Sequence, residues 1–164
     1  MHCIVPIGPP CVDLGVTTEQ LNAFALTELA DLLETAGTVT VISGLEPGWD
    51  HAVAKTALGI GLNLHIVIPY CGWEMKWSAG FQKKCQTLID ECFILTYMST
   101  DRTHDDWPAN SYMVSIADAA FVLMPAGYEK PKERGQGTYG RLWAANMQKK
   151  QIVDVWPSFR ESGY

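Results

Sequence analysis

Short apolar runs rich in β-branched residues recur along this chain with helical patterns between them, and that alternation restricts the fold more than any other feature. The runs are Cys3 to Ile7, Thr38 to Ile42, Leu64 to Ile68, Phe93 to Tyr97, Ala119 to Met124 and Ile152 to Val155. Each has strand length, and the third is apolar enough to be buried on both faces. After the first, Thr17 and Gln20 have capping-box spacing ahead of Leu21, Ala25, Leu29, Leu32 and Ala36 at helical intervals, and Gly37 stops that helix. An alanine-rich helix is predicted from Trp49 to about Ile60, closed by Gly61. Trp77, Phe81, Cys85, Leu88 and Cys92 define another, with one aromatic-rich face. Pro108 suits the first turn of a helix carrying Met113 and Ile116, and Thr138 suits the cap of one ending at Lys149-Lys150. The pattern predicts a mostly parallel sheet of about six strands covered by helices on both faces.

The length of 164 residues fits one domain, with a core from about residue 3 to 156 and Pro157 to Tyr164 as a tail. No apolar stretch reaches membrane-span length, and Met1-His2-Cys3-Ile4 lacks the basic region of a signal peptide, so the expected location is the cytoplasm with no membrane partner. The net charge of −6 removes any general attraction to nucleic acid. Five cysteines without a C-x-x-C pair read as reduced thiols, and the four histidines show no ligand spacing; neither a metal site nor a cofactor is expected.

In parallel sheets of this kind ligands bind beyond the carboxyl ends of the strands. The loops predicted there are Gly8-Pro10, Ser43-Asp50, Pro69-Trp73, Ser99-Asp106 and Pro125-Thr138. Ser43-Gly44-Leu45-Glu46-Pro47-Gly48-Trp49-Asp50 runs directly from strand to helix, so its glycines and amides at a helix N-terminus suit an anion. Gly135-Gln136-Gly137-Thr138 repeats that logic, with Lys130, Lys132 and Arg134 just upstream to compensate phosphate charge. Asp50 is read either as a helix-dipole partner or as a contact to a ribose hydroxyl. Trp73, Trp77 and Tyr70 can stack on a base, while Glu46, Asp101, Asp105 and Asp106 are loop carboxylates of no fixed pairing.

Ser43-Gly44-Leu45, Gly48, Asp50 and Ala54 or Ala52, followed by Ala57-Leu58, with Met113-Val114 and Ala117-Asp118 ahead of a strand and Gly137-Thr138 later, resemble the signature of the SLOG superfamily. The likeness covers about Ile4 to Val155 and is strongest to its YpsA-like group, whose relatives include DprA and Lonely Guy proteins. It implies a Rossmann-like three-layer sandwich that holds a nucleotide-derived molecule between two glycine elements, in a protein that commonly self-associates. Lonely Guy enzymes carry a glutamate three residues after the threonine of their second element; Arg141 stands there in this chain. A guanidinium cannot replace that carboxylate, which leaves recognition as the first expectation and hydrolysis as the second.

The first expectation is therefore a binding protein for a nucleotide-derived signal, ADP-ribose-like or cyclic. Its ligand-binding residues are Gly8, Ser43, Gly44, Gly48, Asp50, Trp73, Lys132, Arg134, Gly135, Gly137, Thr138 and Arg141. The second is an N-glycosidic hydrolase in which Asp50 or Glu46 stabilises an oxocarbenium-like centre. The third is a single-strand DNA or protein-interaction module built on Trp73 and the basic loop.

Overall fold

The structure, a computed structural model, describes residues 2–101, 105–125, 135 and 137–164. Six strands, β1 (His2–Ile7), β2 (Val39–Ser43), β3 (Asn63–Ile68), β4 (Ile94–Tyr97), β5 (Ala119–Val122) and β6 (Gln151–Asp154), form one sheet in the order β4-β3-β2-β1-β5-β6. Every pairing is parallel, with Ile4 opposite both Val41 of β2 and Ala119 of β5. The helices are α1 (Cys11–Leu14), α2 (Thr18–Ala36), α3 (Trp49–Gly59), α4 (Ala79–Glu91), α5 (Trp107–Ile116), α6 (Gly137–Met147) and α7 (Trp156–Glu161). This is the expected Rossmann-like α/β sandwich.

Alternation along the strands sorts the core into two halves, because successive side chains leave opposite faces of a sheet. Ile4, Val41, Ile66 and Phe121 pack with α2, α3, α4 and α7 on one face. Val5, Ile7, Ile42, Val67 and Val122 pack with α5 and α6 on the other. Chain order runs outward from β1 to β4 and then returns to β5 beside β1. The order reverses between β1 and β5, which opens a crevice at their carboxyl ends.

Local chemistry explains most boundaries. Thr17 accepts from the Gln20 amide while the Gln20 side chain accepts from the Thr17 amide, completing the predicted capping box. The helix expected to run from Trp77 is shorter. Ser78 caps α4, its hydroxyl accepting from the Phe81 amide, while a 3₁₀ turn (Trp73–Lys76) precedes it and Trp77 is extended between them. The expected tail is also corrected. Trp156–Glu161 is helical because Pro157 lies in its first turn, where proline starts helices, and Phe159 is buried edge-on against Phe24. Among the described residues no helix is long and apolar enough to cross a membrane.

His51, in the first turn of α3, is 6% exposed. Burial, helped by Lys55 and Lys84 and opposed by Asp50, pushes its pKa down from 6.5 to about 4. The folded chain therefore binds fewer protons than the unfolded chain between those values, and stability falls as pH drops through that window. The loss by pH 4 is expected to approach about 3 kcal/mol. Urea midpoints at pH 7 and pH 4.5 check this: His51→Gln should lose much less stability on acidification than the parent, and an equal loss would assign the pH dependence to other groups.

Candidate functional site

The loop after β2 departs from αR geometry in two places. Leu45 has φ 57°, and Gly48 has φ 96°. These turns bring Asp50 back under the loop, where it is fully buried. Asp50 accepts from the Ser43 hydroxyl, from the Gly44 amide at 3.2 Å and from the Glu46 amide at 3.1 Å. The Leu45 amide donates to Ser43 Oγ at 3.0 Å. The expectation of open amides is thereby corrected for Gly44, Leu45 and Glu46: the chain's own Ser43 and Asp50 already accept their hydrogen bonds.

Arg141, reaching in from α6, is 1% exposed and donates through Nη1 to Asp50 and through Nε to Asn110 Oδ1 at 3.0 Å. Its Nη1 also meets the Pro6 carbonyl at 3.3 Å. Burial alone would lower its pKa, but Asp50 and Glu46 beside it hold the guanidinium above its ordinary value. A Cβ on Gly44 would lie 2.7 Å from Arg141 Nη2, so glycine there makes room for the guanidinium. Arg141 therefore joins the sheet edge from below, beneath the loops.

Glu46 faces outward from the same loop. Its carboxylate lies 3.5 Å from Lys76 Nζ and 4.0 Å from Arg141 Nη2, with 18% of its side chain exposed. Burial pushes its pKa up against the pull of Arg141 and Lys76, aided by Asp50 and Asp106. The second glycine element meets it: Gly137 lies opposite, with space for a Cβ 3.9 Å from the Glu46 carboxylate. The Gly137 amide donates to Asp106 Oδ2 at 2.6 Å, and the Thr138 hydroxyl donates to the Gly8 carbonyl at 2.7 Å. The loops of β1, β2 and α6 are thus tied together where strand order reverses.

Other expected residues are placed differently. Trp73 is 5% exposed and packs edge-on against Trp77 with ring centroids 4.6 Å apart, so it is no open stacking surface. Gly135 packs against Tyr139 and Gly140, and Gly48 against Pro9 and Pro10. Lys130, Lys132 and Arg134 lie outside the described residues. Lys76 and Asn110 went unnoticed in the sequence. Asn110 follows Asp106 by one helical turn, so both face α6, a spacing that was legible. Nothing in the sequence marks Lys76, which reaches Glu46 only because of the 3₁₀ turn.

Chemically, the edge presents the part-exposed Glu46 carboxylate over a buried guanidinium–carboxylate pair that fixes the loops. Glu46, Asp50 and Asp106 face Arg141 and Lys76, leaving a slight negative excess among the described side chains. An acceptor-rich edge of that kind suits hydroxyl groups better than a bare phosphate. No protein-family model matches the chain, and no curated protein matches it.

Proposed function

We propose that the chain binds a nucleotide-derived small molecule across the crevice between β1 and β5, with a sugar hydroxyl on Glu46. The single observation that carries this reading is the meeting of the two glycine elements, Glu46 facing Gly137 while Thr138 holds Gly8. The resemblance to SLOG proteins points to the same edge. In this reading Glu46 takes the sugar contact expected of Asp50, because Asp50 has no exposed surface. Thr138 joins the loops, and Arg141 fixes Asp50. Positive charge for a phosphate would come from Lys132 and Arg134, which lie outside the described residues.

A thermal-shift panel of nucleoside monophosphates, cyclic nucleotides and ADP-ribose tests it, after mass spectrometry of what heat releases from the purified protein. At least one member is expected to raise Tm, and Glu46→Gln should weaken that ligand about tenfold while changing the unliganded Tm little. If no member shifts Tm at millimolar concentration, the reading fails.

A second reading, N-glycosidic hydrolysis, gains from one observation. The carboxylate missing at position 141 is supplied nearby by Glu46, whose raised pKa suits an acid–base role. Free base released from a nucleoside monophosphate by the parent and lost in Glu46→Gln would establish it; intact nucleotide after prolonged incubation would leave binding alone.

A further inference from the structure

A cleft of about 270 Å³ is lined by residues of α1, α2, α3 and α4 together with Pro10, Pro47 and Gly48 of the adjoining loops. A second cleft, of about 350 Å³, adjoins it. Both are lined by the same three polar side chains, His51 and Lys55 of α3 and Lys84 of α4. The volume of each is near the lower end for small-molecule sites.

Two buried polar atoms of the first cleft have no hydrogen-bond partner among the described residues. His51 is 6% exposed, and its Nε2 has no hydrogen bond. Asn22 Oδ1 on the same cleft is also buried without a partner. A buried polar atom left unmatched is destabilising, and two lining one cleft are uncommon unless a partner joins them. Neither Lys55 nor Lys84 makes an ion pair among the described residues, although the chain has 18 acidic side chains against 12 basic ones. Burial keeps His51 neutral against the pull of Asp50, and both ammoniums add in the same direction as burial. Two unpaired like charges therefore converge on a neutral imidazole, an arrangement that an anion relieves. Apart from Thr18, the remaining lining is mostly apolar, with the exposed Val12 and the half-buried Phe81 among it.

We propose that this cleft binds a small amphipathic oxyanion, its phosphate or carboxylate head between Lys55 and Lys84 beside His51 Nε2 and its compact body against Val12 and Phe81. Ammonium groups act as point charges toward such a head, and the imidazole adds a directional hydrogen bond. The cleft shares Pro47 and Gly48 of the first glycine loop with the crevice but takes its ligand on the outer side, between α3 and α4.

Titration of the ¹⁵N-labelled full chain with phenyl phosphate and with benzoate, at ionic strength matched by sodium chloride, tests the proposal by NMR. At least one probe is expected to shift the His51 imidazole signals saturably, with Kd below about 1 mM, and to raise the imidazole pKa. The probe that binds identifies the head group. Lys55 and Lys84 are exposed, so Lys55→Gln with Lys84→Gln should keep the fold and weaken the probe at least about tenfold. Lack of saturation by both probes up to about 10 mM, a regime of very weak affinity, overturns the proposal. So does undiminished binding in the double variant. Val12→Ala is the second variant: weaker binding of phenyl phosphate but not of inorganic phosphate supports the apolar subsite, and equal weakening of both rejects it.

Discussion

Arg141→Met is expected to destabilise the fold by about 3–5 kcal/mol, the range for stripping one partner from a buried ion pair. The guanidinium is 1% exposed and the Asp50 carboxylate is fully buried, so water cannot replace the lost charge. Asp50 would keep the Ser43 hydroxyl and the Gly44 and Glu46 amides, but those dipoles do not neutralise it. Asn110 Oδ1 and the Pro6 carbonyl would lose their donors as well. Adding Asp50→Asn to Arg141→Met should recover about 2 kcal/mol, because it removes the unpaired charge. Urea denaturation at pH 7 of the parent, both single variants and the double variant supplies the cycle. Destabilisation of Arg141→Met by less than about 1 kcal/mol, the scale of an exposed ion pair, would show that the pair is not what secures this edge. Lysine is expected to be a poor substitute, since one ammonium cannot serve Asp50, Asn110 and Pro6 in a fixed plane.

The strands were legible because burial on both faces demands continuous apolar runs, and parallel connections demand helices between them. Errors fell where one residue has two local meanings. Pro157 ends a strand pattern, yet it equally begins a helix, and burial of Phe159 against Phe24 decides for the helix. Trp77 continues the aromatic spacing of α4, yet Ser78 caps that helix one residue later. At the site, the glycine loops were visible but their occupancy was not. Whether Gly44 and Glu46 present free amides depends on Asp50 turning back beneath them, and on Arg141 arriving from 91 residues away. Spacing along a chain carries no information about such a return. The same limit hid the contact between Lys76 and Glu46, which depends on the 3₁₀ turn at Trp73–Lys76.

Arg141 also changes what the second glycine element means. A glutamate at that position would face Asp50 across the buried edge, and two carboxylates there would repel each other. Arginine instead binds the two glycine elements together electrostatically, beneath the part-exposed Glu46 carboxylate. Variants of Glu46 therefore report on the ligand side of this edge, whereas variants of Arg141 report on its stability.

The rigidity of that first loop is tested most severely by Gly48→Ala, expected to destabilise the fold by about 4 kcal/mol, near the top of the range for single substitutions. Gly48 has φ 96° and ψ −129°, a conformation that L side chains rarely adopt. A Cβ there would also penetrate the Pro9 carbonyl oxygen and the Pro10 Cα, both backbone atoms that no rotamer change can move aside. The contact is part of a docked pair of loops: the Trp49 amide donates to Pro9, and the buried Trp49 indole donates to the Phe121 carbonyl at 3.0 Å. Gly8, packed against Trp49, in turn accepts from Thr138. Separating the loops would therefore loosen both glycine elements together, and ligand binding should weaken even at temperatures where the variant remains folded. Gly61→Ala provides the comparison. Its φ is 80°, but a Cβ there meets nothing within 4 Å, so only conformational strain of about 1 kcal/mol is expected. Similar urea midpoints for the two variants would mean that Pro9 and Pro10 yield freely, and that the crevice is not held open by loop packing. A gap of about 3 kcal/mol between them, well outside the error of linear extrapolation, would identify the Gly48–Pro9 contact as the joint on which the candidate site is built.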